Sequence, residues 1–200
     1  MLIHGVVAHS RVNGPGVRVV VYFQGCNLGC TDCWNPSTHA FSGPSREAAD
    51  VAEQIARANL THAIEGVTFS GGEPMQQAPD LLALIRLLKR ARPEISIGMY
   101  SGYSERELES GRFWTRCGSK QDTRHRVWGD IKQYLDFAVL GRFVAAKASN
   151  LPLRTSSNQT LRLFSNRYHE EQFKPLEFEV HIESEGLVQI TGFPLAGLPV

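Results

Sequence analysis

Strand-like and helix-like segments alternate along this chain, and the strand-like runs end in glycine. Residues 17–23, Val-Arg-Val-Val-Val-Tyr-Phe, are rich in β-branched and aromatic side chains and run into Gly25. Residues 66–70 close on Gly71-Gly72, residues 95–100 lead to Ser101-Gly102-Tyr103, and residues 136–140 lead to Gly141-Arg142-Phe143. Pro44-Ser45 opens a helix, with Ser45 as its N-cap, Glu47 in the first turn, and Ala48, Val51, Ala52 and Ile55 on its apolar side. Pro79 opens a second helix, rich in leucine, that packs on more than one side. Such alternation predicts an α/β fold with a largely parallel sheet. In a parallel sheet the loops leaving the C-terminal strand ends share one rim. Any one of these glycine loops alone marks only a strand-ending turn. Four of them on one rim, together with the cysteines that follow the first, mark a site.

Those cysteines are Cys26, Cys30 and Cys33, spaced C-x3-C-x2-C; the fourth, Cys117, stands alone. Nothing at the N-terminus resembles a signal peptide, and no apolar run is long enough to span a membrane, so a cytoplasmic chain is expected, in which structural disulfides are disfavoured. Three thiolates on one short loop can converge on a metal centre. A structural zinc site asks for a fourth ligand, for which only His9, His39 or Cys117 is available, at poor spacing. A dithiol redox motif uses Cys30 and Cys33 and leaves Cys26 without a role. A [4Fe–4S] cluster with three cysteines keeps one iron open, the mark of a catalytic centre, and it accounts for all three residues. The chain has 21 Lys and Arg against 20 Asp and Glu, and a net charge of +1, which argues against a protein built to coat nucleic acid or an anionic membrane.

The cysteine spacing, followed by Thr68-Phe69-Ser70-Gly71-Gly72-Glu73-Pro74, resembles the radical S-adenosylmethionine (SAM) superfamily. Asn13-Gly14-Pro15-Gly16-Val17-Arg18 and Cys33-Trp34-Asn35-Pro36-Ser37-Thr38 resemble its glycyl-radical-enzyme activases. Tyr100-Ser101-Gly102-Tyr103, Gly141-Arg142-Phe143 and residues 153–159 are similar, in order, to motifs of the anaerobic ribonucleotide reductase activating proteins. The resemblance implies a partial (βα)6-type parallel barrel over residues 1–165, followed by a C-terminal extension, 166–200. It implies a [4Fe–4S] cluster on Cys26, Cys30 and Cys33 as the catalytic and metal-binding residues, with SAM on the open iron. Gly71, Gly72, Glu73 and Pro74 would meet the methionyl end of SAM, Trp34 and the backbone at Asp32 its adenine, and Ser101 and Asn158 its ribose or methionine. The implied reaction is reductive cleavage of SAM to a 5′-deoxyadenosyl radical. Its hydrogen donor would be a glycine of a partner glycyl-radical enzyme such as anaerobic ribonucleotide reductase, and its electron donor a flavodoxin or ferredoxin. Leu140 stands where the family usually has Asp, and Thr155 where it has Gly. These departures keep open a second enzymatic reading, modification of another peptide or a small molecule by the same radical. A reading of another class, a zinc-binding interaction module, leaves the Gly-Gly-Glu-Pro loop unexplained.

Two regions lie outside the pattern. Residues 112–128 hold Arg112, Arg116, Lys120, Arg124 and Arg126 against Asp122, with Phe113, Trp114 and Trp128 interleaved, and read as an exposed basic loop or a contact surface for an acidic partner. Residues 177–183 alternate, with Phe178, Val180 and Ile182 on one face, and predict an antiparallel hairpin with residues 187–190 around Ser184-Glu185-Gly186, its charged face toward water.

Overall fold

The computed structural model describes residues 1–175, 177–182 and 188–193. Its centre is a six-stranded mixed sheet. β1 (Ile3–Ser10), β2 (Arg18–Phe23), β3 (Gly66–Gly71), β4 (Ser96–Ser101) and β5 (Phe137–Leu140) lie side by side in that order, and β8 (Thr160–Leu163) adds the far edge. β2, β3, β4 and β5 are mutually parallel, as the alternation predicts. α1 (Ala48–His62) crosses from β2 to β3, and α2 (Ala78–Ala91) from β3 to β4. α3 (Glu105–Glu109) and α4 (Gln121–Lys132) fill the crossover from β4 to β5.

The parallel run stops at four strands, where six were expected. β1 and β8 pair antiparallel with β2 and β5. The reason is the connections: a parallel partner needs a crossover of a dozen or more residues, usually a helix. Residues 11–17 join β1 to β2 without one, and the chain returns from β5 to β8 through a small antiparallel pair, β6 (Ala148–Leu151) and β7 (Arg154–Ser156).

Two apolar layers hold the sheet. Beneath α1, α2 and α4, the side chains of Val51, Ile55, Leu81, Leu84, Ile85, Trp128 and Ile131 pack on Val19, Val21, Phe69, Ile97 and Met99. On the opposite face, Leu153, Tyr168 and Phe173 cover Phe137 and Val139. α1 starts at Ala48, later than the sequence implies, and Ser45 is not its cap. Ser45 instead bridges Leu2 in an extended pair, and its hydroxyl accepts from the N-terminal ammonium.

Arg18 crosses the sheet wholly buried. Its guanidinium donates to Thr68 Oγ1 (2.7 Å), Pro15 O (3.1 Å) and Val67 O (3.0 Å), and lies over the Phe137 ring. It thereby fastens the Asn13–Gly16 turn to β3, the strand that ends in Gly71.

β9 (Phe178–Ile182) and β10 (Val188–Gly192) pair antiparallel; Ser184-Glu185-Gly186, the expected turn, lies outside the described residues. The facing is the reverse of expectation: Phe178, Val180 and Ile182 are exposed, and the polar side turns inward. Glu179 accepts from the Arg11 backbone amide at the end of β1, and His181 packs edge-on against His9, which stacks on His62. An edge strand's unpaired amide needs an acceptor, and the carboxylate supplies it.

Candidate active site

Four loops leave the C-terminal ends of β2, β3, β4 and β5, and all four line a single cavity. Cys26, Cys30, Cys33 and Trp34 come from the first, Gly71, Gly72 and Glu73 from the second, Ser101 and Gly102 from the third, and Gly141 and Phe143 from the fourth. Backbone bonds clamp the cysteine loop to its neighbours. Gly25 N donates to Thr38 O (2.7 Å), Cys26 N to His39 O (3.0 Å), and Glu73 N to Gly25 O (3.0 Å). Gly72 is required here for space: a Cβ at that position would lie 2.4 Å from the Gly25 carbonyl oxygen. Gly71, at φ +96°, sits where only glycine is unstrained, and a Cβ there would meet the Phe23 amide at 2.6 Å.

Glu73 is the electrostatic centre. It is buried, and its Oε1 accepts from Met75 N (2.9 Å) and Ser101 Oγ (2.8 Å) while Oε2 accepts from Gly102 N (2.7 Å). Burial pushes the carboxyl up to about 7, against the pull of those donors and of Arg142. Burial likewise pushes the Cys26 thiol up to about 12, with Glu73, Cys33 and Cys30 adding to the shift, and it raises Cys33. The cavity thus gathers three cysteines and a carboxyl, and burial favours the neutral forms of Cys26, Cys33 and Glu73.

Among the described residues, no three His, Cys, Asp or Glu side chains stand close enough to share one metal ion. Three cysteines lining one cavity fit a cluster by their chemistry, since each thiolate would take its own iron. Two further groups fit a ligand beside it. The Tyr100 hydroxyl and Trp34 Nε1 are buried without a hydrogen-bond partner, and both side chains line the cavity. Such orphan donors are rare in folded proteins, and both belong to side chains that wall the cavity. Trp34 stacks edge-on against Phe143 (6.1 Å) and Phe193 (6.4 Å), which wall the cavity with it.

Of the residues singled out in the sequence, Cys26, Cys30, Cys33, Trp34, Gly71, Gly72, Glu73 and Ser101 line this cavity. Asp32, Pro74 and Asn158 do not line the cavity. Asp32 is exposed on the outer turn of the cysteine loop at φ +56°. Pro74 is buried, opening the short turn that leads into α2. Asn158 is exposed and donates to Arg142 O (2.8 Å); its neighbour Gln159 faces the cavity instead, holding Gly141 O through Nε2. Tyr100, Thr155, Gln159, Phe143 and Phe193 were not picked out as site residues from the sequence, although Tyr100, Phe143, Thr155 and Gln159 fall inside motifs it singled out. Cys117 is exposed and takes no part.

Comparison with known proteins agrees with this geometry. Residues 12–162 match the family described as 4Fe-4S single cluster domain. The anaerobic ribonucleoside-triphosphate reductase-activating protein of Vibrio cholerae is 30% identical over 160 residues, covering 77% of this chain and 92% of that protein. The chain belongs to the radical SAM glycyl-radical-enzyme activases. The pyruvate formate-lyase-activating enzyme of Listeria monocytogenes is 36% identical over 134 residues, 66% of this chain, and the match spans about half (53%) of that longer relative. The crystal structure of QueE from Escherichia coli matches over 52% of each chain at TM-score 0.38 and 20% identity, too slight a likeness to bear on function. As a radical SAM enzyme, the chain works with a [4Fe–4S] cluster and SAM. No helix among the described residues is long and apolar enough to cross a membrane.

Proposed function

We propose that this enzyme binds its cluster through Cys26, Cys30 and Cys33, cleaves SAM reductively, and installs a glycyl radical on a partner enzyme of the anaerobic ribonucleotide reductase kind. The observation that carries the reading is the convergence, in one cavity at the C-terminal strand ends, of three cysteines, a buried carboxyl and two orphan donors. When bound, the cluster supplies the electron for SAM cleavage, and SAM supplies the 5′-deoxyadenosyl radical that abstracts hydrogen. The chain's own residues do the positioning. Glu73, held on both oxygens by Met75, Ser101 and Gly102, presents a fixed acceptor to the amino group of SAM. Tyr100 and Trp34 offer their unpaired donors to its polar atoms, and the Trp34–Phe143–Phe193 wall excludes water from the reacting carbon.

In this reading residues 1–165 form the SAM-cleaving core, a short form of the (βα)6 barrel. Residues 166–200 are the extension, whose Phe193 closes one side of the cavity. The partner completes the enclosure, and a flavodoxin or ferredoxin supplies the electron. The test is anaerobic reconstitution with iron and sulfide, followed by dithionite and SAM. The expected result is stoichiometric 5′-deoxyadenosine and, with an anaerobic ribonucleotide reductase present, a glycyl-radical signal by electron paramagnetic resonance. Deoxyadenosine without any radical on that partner would move the substrate to another peptide or a small molecule.

A further inference from the structure

The electron has to reach the cysteine loop from outside the chain, and the cavity mouth has to stay free for the hydrogen donor. A second concave surface lies against the same loop. Asn27 and Leu28 line it with Trp114, Arg112 and Arg124, and with Arg142 ion-paired to Glu107. Leu28 is the one residue that lines both this groove and the cavity, and it seals down onto Gly102, where a Cβ would meet Leu28 Cδ1 at 2.3 Å. The groove therefore adjoins the cluster-binding loop and shares Leu28 with the SAM cavity.

The groove is fastened to the loop through Gln76, which is wholly buried. Asn27 N donates to Gln76 Oε1 (3.1 Å), and Gln76 Nε2 donates to Asn27 Oδ1 and to the Tyr103 hydroxyl (2.9 Å). The same hydroxyl accepts from Trp114 N (3.1 Å), and Arg116 N donates to Gln76 O (2.8 Å). A load placed on residues 103–116 thus bears directly on the cysteine loop.

The charge along the segment that brings Arg112 and Arg124 to the groove is one-sided. Between residues 112 and 126 five bases stand against Asp122, in a chain whose overall charge is only +1. Three acids nearby are paired: Glu107 with Arg142 inside the groove, Glu109 with Lys132 and Glu105 with Arg162. Arg112, Arg116, Lys120, Arg124 and Arg126 have no ion pair among the described residues, and all but Arg124 are exposed. Trp114 is 43% exposed, an aromatic anchor beside a positive field, the composition that favours a protein partner.

We propose that this groove is the docking face of an acidic, protein-borne one-electron carrier. The inference rests on the reading that the adjacent loop holds a cluster reduced once per turnover. In the transfer the carrier is oxidised by one electron and the cluster reduced by one; no bond forms or breaks and no proton has to cross. An electron needs no open path. Steering by the unpaired bases brings an anionic carrier to the loop at rates a neutral face cannot reach.

The test uses the full chain, with and without its cluster, a purified flavodoxin of net negative charge, and the triple variant Arg112→Glu, Arg116→Glu, Lys120→Glu. Titration is expected to show wild-type affinity weakening with added salt, and the triple variant at least tenfold weaker at low salt. The corresponding lysine and arginine swaps (R112K/R116K/K120R) should restore binding, which separates charge from folding. The ratio of flavodoxin-driven to dithionite-driven deoxyadenosine formation should fall by a similar factor. A change in affinity under twofold on charge reversal would overturn the proposal. So would a variant that loses affinity for the radical-accepting enzyme, or for a single-stranded RNA probe, while keeping it for flavodoxin. If wild-type enzyme fails to cleave SAM even with dithionite, the proposed function fails; the titration, which needs no chemistry, still decides the docking face.

Discussion

Adding one methyl group at Gly72 probes how tightly the strand-β3 loop and the cysteine loop are held together. Gly72 has no positive φ, so Ala is acceptable to its backbone, and the effect of Gly72→Ala is steric. The new Cβ would sit 2.4 Å from the Gly25 carbonyl oxygen and 2.9 Å from its carbon, about one ångström short of ordinary contact. Both partners are backbone, so no side chain can swing aside. Relief requires the Gly25–Cys26 segment to move, which strains or breaks the Glu73 N–Gly25 O bond (3.0 Å) and shifts Cys26 relative to Glu73. Overpacking of this kind costs about 1–3 kcal/mol. For a chain of this length that is a fall in Tm of about 2–4 °C per kcal/mol. A displacement of about one ångström in a positioning element can lower turnover about a hundredfold. The assay pairs thermal unfolding of the apo chain with dithionite-driven deoxyadenosine formation. Gly5→Ala serves as the control, since a Cβ there meets nothing within 4 Å. Unchanged Tm together with turnover within twofold of wild type would refute the claim that these two loops form one rigid unit.

Other perturbations separate the roles further. Tyr100→Phe removes a buried hydroxyl that has no partner, so apo stability should hold or rise by about 1 kcal/mol while SAM affinity falls about three- to tenfold; equal SAM affinity would remove Tyr100 from the site. Arg18→Met strands acceptors at Pro15, Val67 and Thr68 and should cost about 3 kcal/mol or more by denaturant unfolding. Glu73 titrates at about 7 in the fold, above its ordinary value of 4.5. Its contribution to apo stability is therefore full below pH 4.5 and lost as pH rises toward and through 7. Glu73→Gln, which cannot ionise, should lose that slope, visible as a wild-type-minus-variant difference that varies between pH 4.5 and 8. Gly129→Ala, on the open face of α4 with nothing within 4 Å, should stabilise by about 0.5–1 kcal/mol in the same unfolding experiment.

The four parallel strands are legible because each is a short, mostly apolar run followed by glycine. The edges are not. β1, Ile-His-Gly-Val-Val-Ala-His-Ser, mixes polar and apolar residues without a clean period, and β8, Thr-Leu-Arg-Leu, is four residues long. α4 hides in the basic segment because only Trp128 and Ile131 of its twelve residues are buried. The β9 alternation shows which residues share a face, but the choice of face is settled by His9 on β1 and Arg11 just beyond it. In the site, the cysteines, Gly71, Gly72, Glu73 and Ser101 follow from local motifs at strand ends. Phe193 belongs to no such motif, and folding brings it back from the far end of the chain. The motif around Asn158 does not say which side chain turns inward: after β7, Gln159 lines the cavity and Asn158 turns out to Arg142 O.

The central claim is that Cys26, Cys30 and Cys33, and not Cys117, hold a cluster that opens one iron to SAM. Single Cys→Ala variants at all four positions, reconstituted anaerobically, test it by iron content and by the electron paramagnetic resonance spectrum of the reduced protein with and without SAM. Wild type and Cys117→Ala should hold about four irons per chain and show a spectrum that shifts on adding SAM. Each of the other three variants should lose the SAM-dependent shift. Full iron and an intact SAM response in any of those three, or their loss in Cys117→Ala, would contradict the assignment.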